Sequence, residues 1–394
     1  MSLQGVARSS RLFHSGANDA ETAPSGAFGN AGRPTVARYR LSPDDRLTAM
    51  PRPVQNLPKA HLHLHFTGSM RHATLLQLAA RHRLTMPESL TSSWPPQLQA
   101  TDARGWFRFQ RLYDIARACV RGEADMRRVV REAAEDDAAE GSGWLEIQVD
   151  PTSYAPFVGG LTPALEIVLD EARSASAATG TGVAVIVAAS RIRHPLDART
   201  LARLAARYAG EGVGTVVGFG LSNDERRGDL ADFAPAFDIA RRAGLALVPH
   251  SGELLGAGAV DRALTVLHPD RLGHGVRSAE DPAVLDRVVS SGTTLEVCPG
   301  SNVSLGVYPT PAAVPLRRLI DAGASIALGA DDPLLFGTRL ADQYQAARCD
   351  LGLSDAALAG LATGSVTGST APDQVKRALL GGIQQWLASD PPHE

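Results

Sequence analysis

Cysteine is scarce in this chain: Cys119, Cys298 and Cys349 are the only three, and they stand far apart. So sparse and odd a count makes no disulfide framework and suits a reducing, cytoplasmic setting. No CxxC pair occurs, which argues against a thiolate zinc site. A basic surplus is also missing. The formal net charge is -3 and the pI about 6.4, so nothing points to a nucleic-acid partner. No run of about 18 apolar residues is present, and no membrane span is expected. No GxGxxG follows a first strand, which leaves a dinucleotide-binding open sheet without support.

What is present is an ordinary globular composition. Of 394 residues, 44% are hydrophobic and 21% charged, enough for a large core, either one α/β barrel or two smaller domains. The first fifty residues are rich in Ser, Gly, Ala and Arg and show no helical or strand period. They lack the apolar stretch of a secretory signal, and Asp19, Glu21, Asp44 and Asp45 break the acid-poor pattern of a transit peptide. Residues 1–50 therefore read as a disordered tail, or as sequence upstream of a start at Met50, and 51–394 as the folded domain.

From Pro58 onward, short apolar runs alternate with amphipathic stretches. Strands are expected at Ala60–Phe66, Trp144–Val149, Val183–Ala188, Val216–Phe219, Leu245–Pro249, Arg271–Gly273, Thr294–Val297 and Ser325–Ala330. Helical patterns between them include Ala164–Ala178, stopped by Gly180, and Pro282–Ser291, stopped by Gly292. Eight strand–helix units predict a parallel (β/α)8 TIM barrel, with an open doubly wound sheet as the alternative. The long interval 67–143 carries helical patterns at Arg71–His82, Trp106–Arg121 and Ala124–Gly141, and reads as a lid over the catalytic face. Ser354–Thr363 and Pro372–Leu387 read as extra C-terminal helices.

Active sites of such barrels lie at the C-terminal ends of the strands. The polar residues there are His61, His63 and His65 on the first strand, His250 and Glu253 after the fifth, His274 after the sixth, and Asp331 and Asp332 after the eighth. Alternation places the three first-strand histidines on one face. Imidazoles with one carboxylate suit zinc, and a catalytic site keeps one position open for water. A single buried histidine is usually structural; a His-x-His joined by His and Asp from three other strand ends is not so readily dismissed.

Five segments together resemble the adenosine deaminase family. Pro58-Lys59-Ala60-His61-Leu62-His63-Leu64-His65-Phe66-Thr67-Gly68 resembles its opening motif, and His250-Ser251-Gly252-Glu253 its His-x-Gly-Glu. Arg271-Leu272-Gly273-His274-Gly275, then Glu296-Val297-Cys298-Pro299 with Ser301-Asn302, then Leu328-Gly329-Ala330-Asp331-Asp332-Pro333 follow in family order. The resemblance spans about Pro58 to Leu387. It implies one zinc ion per chain held by His63, His65, His250 and Asp331, with His61 one step outside. His274 would orient a water and take its proton, Glu253 in protonated form would serve purine N1, Asp331 would also touch the water, and Asp332 would contact N7. The implied partner is a small 6-aminopurine nucleoside. The zinc signature H-x-E with P-C-x-x-C is absent, which argues against the cytidine deaminase fold. No Lys stands at the end of the fourth strand, so a single metal is expected.

Three positions depart from the family pattern. His61 replaces Glu. Thr67 replaces an Asp that binds the ribose 5′-hydroxyl. Asn223 stands where the family has a Gly whose backbone approaches purine N3. Loss of a 5′-hydroxyl acceptor suggests a 5′-extended substrate such as 6-aminodeoxyfutalosine, with Arg191 and Arg193 expected to pair with its carboxylate. Trp106, Phe107 and Phe109 of the lid are expected either to stack on an aryl group or to form lid core. Adenosine itself, free adenine, and a non-catalytic nucleoside-binding barrel are the alternatives. No feature of the sequence points to an oligomeric state.

Overall fold

The computed structural model describes residues 51–389. The expected tail at 1–50 lies outside the described residues.

Eight parallel strands run in order around a barrel: β1 (Lys59–His65), β2 (Ser142–Val149), β3 (Gly182–Ser190), β4 (Val216–Ser222), β5 (Ala246–Ser251), β6 (Arg271–His274), β7 (Thr294–Val297) and β8 (Ser325–Leu328). Each pairs with the next. β8 is joined back to β1 just past its end, where Asp331 N–H donates to His63 O and His65 N–H to Asp331 O, both at 3.0 Å. Strands buried on both faces need near-continuous apolar runs, and Val183–Ala189 on β3 is such a run, buried throughout. The fold is a (β/α)8 barrel.

The lid interval holds α1 (His72–Arg81), α2 (Ala103–Arg117) and α3 (Glu123–Ala139). α2 begins earlier than its apolar period suggests because Asp102 caps it, accepting Gly105 N–H at 2.6 Å. The helices Leu161–Thr179 and Pro282–Ser291 end at Gly180 and Gly292, whose φ values of 81° and 71° mark left-handed stops. Asp355–Gly368 and Asp373–Ala388 form the two C-terminal helices, and the first packs against β8 and β1. Short helices at Pro299–Ser304 and Pro333–Phe336 follow β7 and β8. They are too brief to show a helical period, so the sequence gives no sign of them. No helix among the described residues is long and apolar enough to cross a membrane.

Candidate active site

The strand order brings the C-terminal ends of β1, β5, β6 and β8 around one point. There, His65 Nε2 lies 3.2 Å from His250 Nε2 and 3.2 Å from Asp331 Oδ1. His63 Nε2 lies 3.6 Å from the same Asp331 oxygen, is buried, and has no hydrogen-bond partner. His274 Nε2 is 3.6 Å from Glu253 Oε1 and 3.8 Å from Asp331 Oδ2. All of these side chains are buried except His65, which is partly so. His63, His65, His250, Glu253, His274 and Asp331 thus share one pocket.

Two backbone positions show how tightly the cluster is held. His274 and Asp331 adopt φ values of 64° and 61°. Such left-handed conformations at non-glycine residues persist only where the surroundings over-determine them. The underlying strand backbone also comes very close: a Cβ added at Gly273 would stand 2.9 Å from both His250 Nδ1 and His63 Cε1.

The donor set fits a metal cation. Nδ1 of His63 is 2.7 Å from Glu296 Oε2, both side chains fully buried, so His63 presents the lone pair of Nε2 to the cluster. That atom has no hydrogen-bond partner, and Nε2 of His65, Nε2 of His250 and the Asp331 carboxylate converge beside it. Neutral imidazoles with one carboxylate are the ligand chemistry of zinc and its neighbours. The thiol of Cys298 also lies near His274 and Asp331. Burial pushes that thiol well above its ordinary value.

The electrostatics divide the acids. Burial, with Asp331 and Glu225 nearby, raises Glu253 well above the ordinary carboxyl range. Burial and the adjacent Asp331 raise Asp332 likewise. Burial alone would also raise Asp331, but His63 and His65 outweigh it and hold this carboxyl well below the usual range. Burial pushes His274 down to about 3, so it is neutral at physiological pH.

Several positions that the sequence singled out lie outside the cluster. His61 does not join the other two histidines, because β1 departs from regular register between His61 and Leu64. Its Nδ1 instead meets Asp137 of α3 at 3.0 and 3.1 Å, and its Nε2 accepts Ala330 N–H at 3.0 Å. Arg191 corrects the sequence expectation outright. It is buried, its guanidinium donates to the carbonyl of His250, and it lines neither cavity beside the cluster. Arg193 is exposed, 3.1 Å from Asp197 and 3.3 Å from Thr152 Oγ1, at the rim of a cavity of about 170 Å³. Thr67 and Asn223 line the same cavity, with Tyr113, Arg117 and Tyr154. Thr67 Oγ1 is 2.5 Å from Tyr154 Oη. Asn223 takes a left-handed φ of 80°. A smaller space of about 60 Å³, lined by Trp106, Phe109, Glu253, His274, Asp331 and Asp332, shares walls with it at His65, Tyr113, Arg117 and Asn223. Trp106 and Phe109 are buried, whereas Phe107 is 68% exposed and takes no part. A larger cavity of about 810 Å³ lies on the barrel's outer flank beside α3. Its arginines, Arg127 and Arg173, are already paired with Glu123 and Asp170, and no strand-end residue named above lines it.

The adenosine deaminase family model matches residues 58–386. The chain belongs to the adenosine deaminase family. Its members are metal-dependent hydrolytic deaminases. A Streptomyces virginiae protein named putative adenosine/adenine deaminase is 61% identical over 331 residues, covering 84% of this chain and 97% of that one. An adenine deaminase of Rhizobium leguminosarum bv. trifolii is 33% identical over 328 residues, 83% of this chain and 99% of its own. The crystal structure of an adenine deaminase from Arthrobacter aurescens matches with a TM-score of 0.77 at 29% identity, over 84% of this chain and 99% of that chain.

For this adenosine deaminase family member, the functional residues that strand-end reasoning missed are carboxylates behind the site. Glu296 holds His63. Arg271 of β6 reaches Glu296 Oε1 at 2.7 Å and, across the barrel, Glu146 Oε2 of β2 at 2.5 Å. Burial alone would raise Glu296, but Arg271 and His63 hold its carboxyl below the ordinary value. Glu225, in the loop after β4, accepts backbone N–H groups from the loop that carries Glu253. Glu296 lies inside one of the family-like segments, which was the available signal, whereas Glu225 lies in none of them. Their partners, however, depend on the tertiary fold.

Proposed function

We propose that this protein is a zinc-dependent hydrolase that replaces the 6-amino group of an adenosine-like nucleoside with oxygen and releases ammonia. The observation that carries the reading is the convergence of His63, His65, His250 and Asp331 on one point that faces His274 and Glu253, with burial raising Glu253 and lowering His274. His63, His65, His250 and Asp331 would hold one zinc ion. When bound, the ion supplies Lewis acidity that makes a nucleophile from water available near neutral pH.

The chain's own residues perform the rest. Neutral His274 accepts the proton of the attacking water. Glu253, kept protonated by its buried setting, donates to purine N1 and draws electron density from C6, where oxygen adds. Asp332, which burial and Asp331 raise likewise, donates in its protonated form to N7, the ring acceptor on the other side of C6 from N1. The proton held by His274 passes to the 6-amino group, the Glu253 carboxylate takes back the proton of the new hydroxyl, and collapse of the tetrahedral centre expels ammonia, leaving N1–H and C6=O. The buried walls of Trp106 and Phe109 exclude bulk water from the ring.

A 5′-modified adenosine such as 6-aminodeoxyfutalosine is the favoured substrate. Thr67 is uncharged and engaged by Tyr154, and the adjoining cavity carries Arg117 and Arg193. Arg191, already committed to His250, has no part in this reading. Free adenine is the second reading, supported by the small volume beside the cluster and by similarity to adenine deaminases. The three scattered cysteines, with none paired among the described residues, support a cytoplasmic setting.

Purified protein assayed for zinc and for ammonia release from adenine, adenosine and 5′-extended adenosines tests both readings. We expect one zinc per chain and the highest kcat/KM for a 5′-extended compound. Highest kcat/KM for adenine would transfer the assignment to the free base. Absence of ammonia from every 6-aminopurine would overturn the deaminase reading.

A further inference from the structure

We infer that Glu225 is a positioning residue for the proposed reaction: its buried carboxylate sets the loop that aims Glu253 at the substrate. Glu225 stands three residues beyond β4, and β4 pairs with β5, so the loops following the two strands are neighbours. Its Oε1 accepts Gly252 N–H at 2.6 Å and the Ser251 hydroxyl at 3.2 Å. Its Oε2 accepts N–H groups of Glu253 at 3.1 Å, Leu254 at 2.8 Å and Leu255 at 2.9 Å. Four consecutive backbone amides therefore close on one anion.

Segment 252–255 lies between β5 and the helix Ala257–Val266, outside any ladder. Its amides need acceptors from elsewhere, because buried N–H groups are seldom left unpaired. Consecutive N–H groups that converge in this way form a nest for an anion. Here the anion is internal, and it uses both carboxylate oxygens. Gly252, at φ 72°, makes the turn possible, and a Cβ there would overlap Val260. Arg191 holds His250, two residues before Gly252, by donating to its carbonyl. The two loop residues thus hold the end of β5 and the backbone of the loop that carries Glu253.

Glutamine at this position keeps the shape but replaces one oxygen with an NH2 group. Either three backbone donors, or the Gly252 N–H with the Ser251 hydroxyl, would then face a donor. The loop would shift, and misplacement of a reacting group by about 1 Å costs on the order of 100-fold in rate. Binding of the substrate's other parts would change little.

The role rests on Glu253 acting as the proton donor proposed above. The experiment compares wild type, Glu225→Gln and Glu225→Asp holoenzymes for kcat, KM, zinc content and amide hydrogen exchange at residues 252–255. For Glu225→Gln we expect kcat to fall about 100-fold, KM to stay within about threefold, zinc to be retained, and those amides to exchange at least about tenfold faster. A kcat within threefold of wild type, or a loss confined to KM, overturns the role. Should Glu225→Gln not fold, Glu225→Asp decides: it retracts the carboxylate by one methylene, so about a tenfold lower kcat at unchanged KM is expected, and a wild-type kcat overturns the role. An inactive wild-type enzyme removes the deaminase reading and this role together; an active wild type with an equally active variant removes only the role.

Discussion

Glu296 and His63 meet inside the barrel at 2.7 Å, carboxylate to Nδ1, with neither side chain exposed. That contact fixes the histidine's tautomer and points Nε2 at the other ligands. Loss of such a supporting carboxylate typically weakens metal affinity by about 10–100-fold. Glu296→Gln is therefore expected to bind zinc 10–100-fold more weakly, read by competition with a chelating indicator. Unchanged affinity would show that His63 needs no support.

Arg271 links Glu296 to Glu146 on the far side of the barrel, and all three are fully buried. Replacing the guanidinium with an apolar chain leaves two buried carboxylates without their shared counter-charge. Breaking a buried pair in this way costs about 3–5 kcal/mol. Arg271→Met should lose stability of that order in chemical denaturation. A loss below about 1 kcal/mol would mean that Trp144 and Thr370, which also donate to Glu146, suffice alone.

Gly68 leaves room for Asp332. A Cβ at residue 68 would overlap the Asp332 carboxylate, and Leu334 N–H donates to the Gly68 carbonyl at 2.8 Å, so neither backbone can withdraw freely. Gly68→Ala is expected to displace Asp332 and lower kcat/KM by on the order of 100-fold, with zinc still bound. Wild-type kinetics for this variant would remove Asp332 from substrate recognition.

The pH profile follows from two opposed shifts. Burial raises Glu253 above its ordinary 4.5, so its protonated, donating form persists as pH rises through that value. Burial lowers His274 to about 3, so its neutral, accepting form persists down to about pH 3. Activity should therefore hold across weakly acidic and neutral pH and fall as pH rises through the raised Glu253 value. In Glu253→Gln that basic limb should vanish along with most of kcat. A profile that falls between pH 4 and 5 on the alkaline side would contradict the shift.

The sequence alone determined the eight strand–helix units, their order and the residues at each strand end. Apolar runs, glycine stops and linear motifs are local signals, so a single chain displays them directly. Only the tertiary structure decided how those residues are used. Alternation along β1 places His61 beside His63 and His65, but an irregular register turns it toward Asp137. Loop position makes Arg191 look free for a substrate carboxylate, but burial commits it to the His250 carbonyl. The Glu225 clamp and the Glu146–Arg271–Glu296 chain join strands and loops far apart in sequence. Such pairings are set by which side chains barrel closure traps together in a buried space, where an unpaired charge is too costly to remain, and no periodicity along the chain encodes that.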